Sequence, residues 1–503
     1  MITRRSFLQK TLGSSVALCL PALPRRLPRR PNVLFCIADD QSYPHASIYG
    51  CPFVETPAFD RVAREGVLFH NAFVSSPSCC PSRGSVLTGQ DFYRLREASM
   101  NHTIWPGGLE TYPDLLAAVG YHVGFTGKGW GPGNWRVSGQ KQPPGGPPYQ
   151  EHKLTPPGKY MAAVDYAGNF KAFLEARPAA APFCFWAGFQ EPHREYEAGI
   201  GKRHGKDPGK VQAPGFLPDV AVVREDILDY AFEIEHCDRH LGRILQTLEE
   251  AGELDNTLVV VTADNGMPFP RAKANLYDYG TRMPLAIRWG SRVKPGRVVD
   301  DFVSFTDFAP TFLETAGLQP GRQMTGTSLM PVLLSGKQGH VEAGRDQAVF
   351  GIERHYPGSR ADGAGYPCRA VRTRDFLYIR NLTPDRNPCG DRPGPVYPAD
   401  DPVGGFGDTD GGPTKTYLWQ HRAELGALCD LSFGRRPAEE IYDIRRDPYN
   451  LRNLADAPEY AAAKRKLADR LDAHLKRTLD PRASGRGSEL DAVMRRYPKL
   501  QAP

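Results

Sequence analysis

The sequence predicts a doubly wound α/β fold built on a large, mixed but mostly parallel sheet, with a smaller C-terminal α+β region holding a short antiparallel sheet. Three observations carry that expectation. Short apolar runs stop abruptly at polar residues, as strands buried on both faces do. Helical patterns lie between these runs, and that alternation is the mark of a doubly wound sheet. Beyond about residue 340 the composition changes, and the stretch from Pro357 to Gly412 is rich in Gly, Pro and Asp with only short strand-like pieces.

In chain order, the first 30 residues come apart from the rest. They hold Arg4, Arg5, Lys10, Arg25, Arg26, Arg29 and Arg30 and no acid, so the formal charge of +6 becomes −1 without them. A near-neutral remainder gives no reason to expect nucleic acid or a membrane surface as partner. Thr3-Arg4-Arg5-Ser6-Phe7-Leu8, followed by the mild apolar run from Thr11 to Leu23, resembles a twin-arginine export signal. That run is too short to span a bilayer. The expectation is an exported protein, periplasmic or extracellular, carried folded by the twin-arginine machinery, so any modification or metal is installed first.

The first strand is Val33 to Ala38, ending at Asp39-Asp40. Thr56 can cap a helix with Pro57 at its first position and Gly66 after its end. Pro81 is placed to start another helix, which puts Cys79 just before a helix N-terminus, where negative charge is stabilised. The run from Tyr121 to Thr126 leads to Lys128, and Phe183 to Phe189 leads to Gln190 and His193. Ile227, Tyr230, Ala231, Ile234, Leu241, Ile244, Leu245 and Leu248 recur at helical spacing. Leu258 to Ala263 ends at Asp264-Asn265-Gly266. All four strand-like runs present polar residues at their carboxyl ends, where open α/β sheets bind ligands. The organisation expected is a core region over 31–345, a smaller region over 346–480 with a strand near Phe376–Ile379 and a helix from Tyr460 to Leu475, and a loose tail over 481–503.

Two strand ends thus offer paired oxygen ligands, Asp39 with Asp40 and Asp264 with Asn265. Singly, each pair reads as a turn or cap. Together they suit a hard divalent cation, calcium more than magnesium. The ten cysteines include no CxxC pair, so a structural zinc site is not expected. Cys36, Cys184 and Cys237 read as core thiols, while Cys368, Cys389 and Cys429 leave a disulfide open.

Cys79-Cys80-Pro81-Ser82-Arg83 followed by Leu87-Thr88-Gly89 resembles the signature of the formylglycine-dependent sulfatases of the alkaline phosphatase superfamily. Pro31 to Asp40, Thr262 to Gly266 and the closing Glu440-Ile441-Tyr442-Asp443-Ile444 resemble other segments of that family. Asp264 to Pro270 with Asn275-Leu276-Tyr277 look most like its heparan N-sulfatase (sulfamidase) branch. The resemblance implies that Cys79 is oxidised by a maturation enzyme to formylglycine. The hydrated aldehyde attacks sulfur, and its second hydroxyl later expels sulfate. It implies one metal ion, Ca²⁺ before Mg²⁺, held by Asp39, Asp40, Asp264, Asn265 and the modified Cys79. It implies that Arg83 bridges nucleophile and sulfate, Lys128 and Lys273 neutralise sulfate oxygens, and His193 serves the leaving atom. Cys80 is a bystander. The implied substrate is a sulfated saccharide, N-sulfoglucosamine first.

One position departs from the pattern. Where many relatives have Lys-x-His, this chain has Lys128-Gly129-Trp130, and an indole is no base. His102 and His122 are candidates to substitute. Glu353, Arg354 and His355 either line the substrate pocket or form an ordinary exposed loop. Alternative readings are an O-sulfatase on another glycan or an aryl sulfate, a phosphonate or phosphodiester hydrolase of the same superfamily, and a non-catalytic glycan-binding relative.

Overall fold

The computed structural model describes residues 30–290, 292–392, 402–497 and 499. The leader, with its paired arginines, lies outside the described residues. Seven strands form one sheet: β1 (Asn32–Ala38), β2 (Val67–Phe73), β3 (His122–Gly127), β4 (Phe183–Gly188), β5 (Thr257–Ala263), β6 (Arg282–Arg288) and β7 (Arg297–Ser304). Their order is β3-β4-β1-β5-β6-β2-β7. β6 runs antiparallel to both of its neighbours, and every other pairing is parallel. The mixed, mostly parallel sheet is therefore present as read.

The unbroken apolar runs have the cause the sequence suggested. Along β1, Val33, Phe35 and Ile37 enter one apolar cluster, with Trp105, Phe308 and Phe312. Leu34 and Cys36 enter another, with Phe59 and with Leu241, Ile244 and Leu245 of the helix Ala221–Glu250. Each face is covered, so neither set of alternate residues can be polar. α1 (Pro57–Arg64) has Thr56 as N-cap and Pro57 at its first position. Gly66 then turns into β2 at a place where a Cβ would lie 2.1 Å from the Ile287 carbonyl oxygen, so only glycine fits.

A second sheet contains β8 (Gln347–Ile352), β9 (Cys368–Thr373), β10 (Phe376–Asn381) and β11 (Glu439–Asp443), in the order β11-β10-β9-β8 and antiparallel throughout. The helix Ala461–Arg477 lays Leu467, Leu471 and Leu475 against Val349, Val371, Tyr378 and Ile441 of this sheet.

Two expectations change. The described part of the tail is packed rather than loose. Residues Gly487–Arg496 form a helix whose Leu490 and Met494 pack on Met100, and Arg354 donates from Nη1 to the Met494 carbonyl. Two apolar residues at helical spacing were enough to dock it. Cys368, Cys389 and Cys429 are free, buried thiols, so no bridge joins them. No helix among the described residues is long and apolar enough to cross a membrane.

Candidate active site at the carboxyl edge of the sheet

Parallel pairing brings the two acidic strand ends together. β1 and β5 are neighbours with Ala38 opposite Ala263, so Asp39-Asp40 and Asp264-Asn265 leave the sheet side by side. The Asp264 amide donates to the Ala38 carbonyl, and the Asp40 amide donates to Asp264 Oδ1 at 3.1 Å. β3 and β4 extend the same edge and deliver Lys128 and the loop that carries His193.

The segment that carries Cys79 and Arg83 forms α2 (Cys79–Thr88), with Ser78 as N-cap. The helix starts two residues earlier than Pro81 suggested. Cys79 is its first residue rather than the one before it, and Pro81 still sits in the first turn, where it costs no hydrogen bond. Four residues on, Arg83 shares the face of Cys79. Gly89 ends the helix in the left-handed conformation at φ 67°.

One ligand atom from each of Asp39, Asp40, Cys79 and Asp264 lies within 4.8 Å of the others, all buried. Around them the cations interlock. Arg83 is fully buried and donates from Nε to Asp264 Oδ2 at 2.6 Å and from Nη1 to the Lys128 carbonyl at 2.6 Å. Its Nη2 is buried without a hydrogen-bond partner. Lys128 Nζ donates to Asp39 Oδ2 at 2.5 Å. Lys273 Nζ lies 2.7 Å from Asp40 Oδ2 and 3.1 Å from Asp410 Oδ2. His193 Nε2 stands 3.8 Å from Asp40 Oδ2. Cys79 Sγ is 3.5 Å from Asp39 Oδ1.

The charge states follow from burial and these neighbours. Burial alone would raise Asp39, but Lys128, then His193 and Arg83, outweigh it and hold its carboxyl well below the usual range. Asp264 moves up instead, from burial and then from the charge of Asp39. Burial pushes the Cys79 thiol well up, against Lys128 and helped by Asp39 and Asp264. Left unmodified, Cys79 is a poor nucleophile.

The donor set fits a hard cation. Three carboxylates converge, and the Asn265 amide donates to Asp40 Oδ1 at 2.6 Å while its own Oδ1 is buried with no hydrogen-bond partner. A buried orphan oxygen beside three carboxylates is costly unless a cation takes it.

The cluster floors a cavity of about 410 Å³ whose lining includes Asp39, Cys79, Lys128, His193, Lys273, His102 and His355. Of the three residues read as substrate candidates, only His355 reaches it. His355 Nδ1 lies 2.9 Å from Ser78 Oγ, one residue before Cys79. Glu353 is fully buried and binds Arg369 and Arg482. Arg354 is buried too and donates to the Gly363 and Met494 carbonyls. Neither belongs to the cavity nor to an exposed loop.

Trp130 turns away from the cavity. Its Nε1 donates to the Cys80 carbonyl at 3.1 Å, and its ring meets Trp105 edge-on. His122 begins β3, at the opposite end of the strand from Lys128, and stacks on Phe173. His102 does line the cavity, and burial lowers it to about 3, so its imidazole is neutral. Sequence reasoning missed Asp410 and Glu233. Asp410 follows a Gly-rich stretch, and Glu233 is one acid in a helix rich in them.

Comparison with known proteins agrees with this geometry. The Sulfatase family profile matches residues 31–318, and the profile named N-sulphoglucosamine sulphohydrolase, C-terminal, matches 271–385. The human N-sulphoglucosamine sulphohydrolase is 30% identical over 504 residues, covering 91% of this chain and 92% of that protein. An ulvan-active sulfatase from Formosa agariphila is 28% identical over 450 residues, covering 87% of this chain and 78% of its own length. A solved structure in complex with its substrate, D-glucosamine-2-N,6-O-disulfate, superposes with TM-score 0.63 at 22% identity, covering 90% of this chain and 98% of that one. A phosphonate monoester hydrolase of Agrobacterium radiobacter shares the fold at TM-score 0.63 and 19% identity, covering 90% of this chain and 97% of that one. With a profile matched over more than half its length, a span that contains the cysteine, the arginine and the acidic pairs gathered at one sheet edge, this chain belongs to the sulfatase family.

Proposed function

We propose that this protein hydrolyses a sulfated carbohydrate, with N-sulfoglucosamine as its first substrate, through a formylglycine made from Cys79. The observation that carries this reading is the meeting of Cys79, at the first position of α2, with Arg83, Lys128 and four oxygen-bearing residues of two neighbouring strand ends. Similarity to N-sulphoglucosamine sulphohydrolase across nearly both chains supports the substrate.

Asp39, Asp40, Asp264, Asn265 and the modified Cys79 would hold the ion, Ca²⁺ by the hardness of the donors, and when bound it supplies positive charge beside the transferring group. The remaining roles belong to the side chains. The unpartnered Nη2 of Arg83 is a free donor for a sulfate oxygen or the nucleophile. Lys128 and Lys273 place two ammonium groups on the sulfate, where charge builds as the bond breaks. His193, 39% exposed in its side chain, hands a proton to the leaving nitrogen or oxygen. The leader supports export by the twin-arginine route to the periplasm or beyond, after a maturation enzyme has acted on Cys79.

Mass spectrometry of the peptide spanning Cys79, from protein made beside a maturation enzyme, should show the mass loss of the aldehyde. Cys79→Ala should then release no sulfate from any substrate while melting like the wild type. Sulfate release by that variant would remove the mechanism. A panel of N-sulfated, O-sulfated and aryl sulfates ranks the sugar reading against the O-sulfatase one. Turnover of phosphonate esters alone would replace both.

A further inference from the structure

Glu233 lies within the helix Ala221–Glu250 and lines the same cavity as Cys79, Lys273 and His193. Its residue exposure is 2%, and it makes no hydrogen bond or ion pair with any described residue. The groups that could have satisfied it are taken. Arg194 uses Nη1 and Nη2 on Asp226 and Nε on the Pro268 carbonyl. The neighbouring acid Glu191 is filled by the Ala162 amide and the Tyr166 hydroxyl. Burial, and then the charge of Glu191, pushes the Glu233 carboxyl well above its usual range. A buried, unpaired carboxyl is a cost to the fold. One that opens into a ligand cavity is relieved by donors the ligand brings.

The rest of the wall has little to offer a second anion. Lys128 is bound to Asp39, and Lys273 lies between Asp40 and Asp410. Arg194 is committed to Asp226. His102 and His355 are kept from protonation by burial first of all. Beyond the sulfate anchor and His193, which is taken up with the leaving atom, the named side chains of the wall offer no spare cation.

We propose that Glu233 is a specificity-determining residue, whose carboxyl exchanges hydrogen bonds with hydroxyl or amine groups of the sulfated ring at a part of the wall that offers no cation to a second sulfate or a carboxylate. This rests on the reading of the cavity as a sulfated-sugar site. It goes further by naming the class of ring, one sulfate and otherwise donors only.

The test is calorimetric binding to the full-length, calcium-loaded protein with Cys79 unmodified, so that nothing turns over. The ligands are N-sulfoglucosamine, glucosamine bearing both N- and O-sulfates, and an aryl sulfate. The wild type should bind the monosulfated sugar at least about tenfold more tightly than the disulfated one, because the second sulfate would be buried without a partner. Glu233→Leu should lower the ratio of sugar to aryl sulfate affinity by about tenfold. Glu233→Gln, of the same shape and still able to exchange hydrogen bonds, should keep most of the sugar to aryl sulfate ratio that Glu233→Leu loses. Both variants should melt no lower than wild type, because they remove an unpaired buried acid. A disulfated sugar bound as tightly as the monosulfated one, or a sugar to aryl sulfate ratio unmoved by Glu233→Leu, overturns the assignment. If binding follows these expectations while matured enzyme hydrolyses no sulfate, the assignment stands and the catalytic reading falls.

Discussion

His45 gives the sharpest test of how burial sets charge in this protein. It is 4% exposed, its Nδ1 lies 2.9 Å from the Tyr230 hydroxyl, and its ring meets Phe53, Tyr230 and Tyr279. Burial lowers it to about 3, against about 6.5 for an ordinary histidine. The folded pKa lies below the unfolded one, so the unfolded chain takes the proton first. Stability from the neutral ring is whole above about 6.5 and is lost progressively as pH falls towards 3. Between pH 7 and pH 5 the linkage amounts to about 2 kcal/mol for this one residue. His45→Phe keeps an aromatic ring in the same cluster and removes the titration, while the Tyr230 hydroxyl still accepts from the Ser42 amide. Urea unfolding at pH 7 and pH 5, at saturating calcium, should therefore show the variant losing about 2 kcal/mol less on acidification than wild type. Equal losses in the two proteins would refute the claim that this imidazole is buried uncharged.

Three further outcomes follow from the contacts. Glu353→Leu leaves Arg369 with Asp480 and Arg482 with Asp491 but removes the shared acid between them, and should cost about 3 kcal/mol in a thermal or urea melt. Because Glu353 lies outside the cavity, KM should stay unchanged in the protein that remains folded. Trp130→His gives the Lys-x-His that the family resemblance leads one to expect, yet should destabilise by about 3 kcal/mol through the lost indole packing and the lost bond to the Cys80 carbonyl, with no gain in turnover. Removing the proposed calcium ion with a chelator should lower the melting temperature, and restoring calcium to about a hundred times Kd should return about 2.7 kcal/mol. Asn265→Leu should blunt that calcium response.

Much of the fold could be read along the chain because its physics is local. β1, β3, β4 and β5 are buried on both faces, and their apolar runs end where the sheet ends, so each announces itself and its ligand residues together. β2, β6 and β7 were not legible in the same way. β2 contains His70 and Asn71, β6 contains Pro284, and β7 carries Asp300 and Asp301, so their patterns are broken by polar or ring residues. Their pairings, β6 with β5 and β2, and β2 with β7, make strands of them. At the site, the motif around Cys79 and the acidic pairs stood out because neighbours in sequence act together. Glu233 and Asp410 did not, since each matters only through residues far away in the chain. Glu353, Arg354 and His355 show the limit well. Three consecutive residues after one strand go to an ion-pair network, a pair of carbonyls and the cavity wall, and no spacing rule separates them.

The burial of Cys79, 1% exposed at the first turn of α2, has a consequence for the order of events in the cell. The oxidation proposed for Cys79 would need a side chain that the folded protein seals beneath Asp39, Arg83 and Asp264, so the proposal places that step on the growing chain. β5 and Asp264 emerge roughly 185 residues after Cys79, which at ribosomal speed is on the order of 10 to 40 seconds. Synthesis itself thus opens a window for maturation, and the arrival of the central strand closes it.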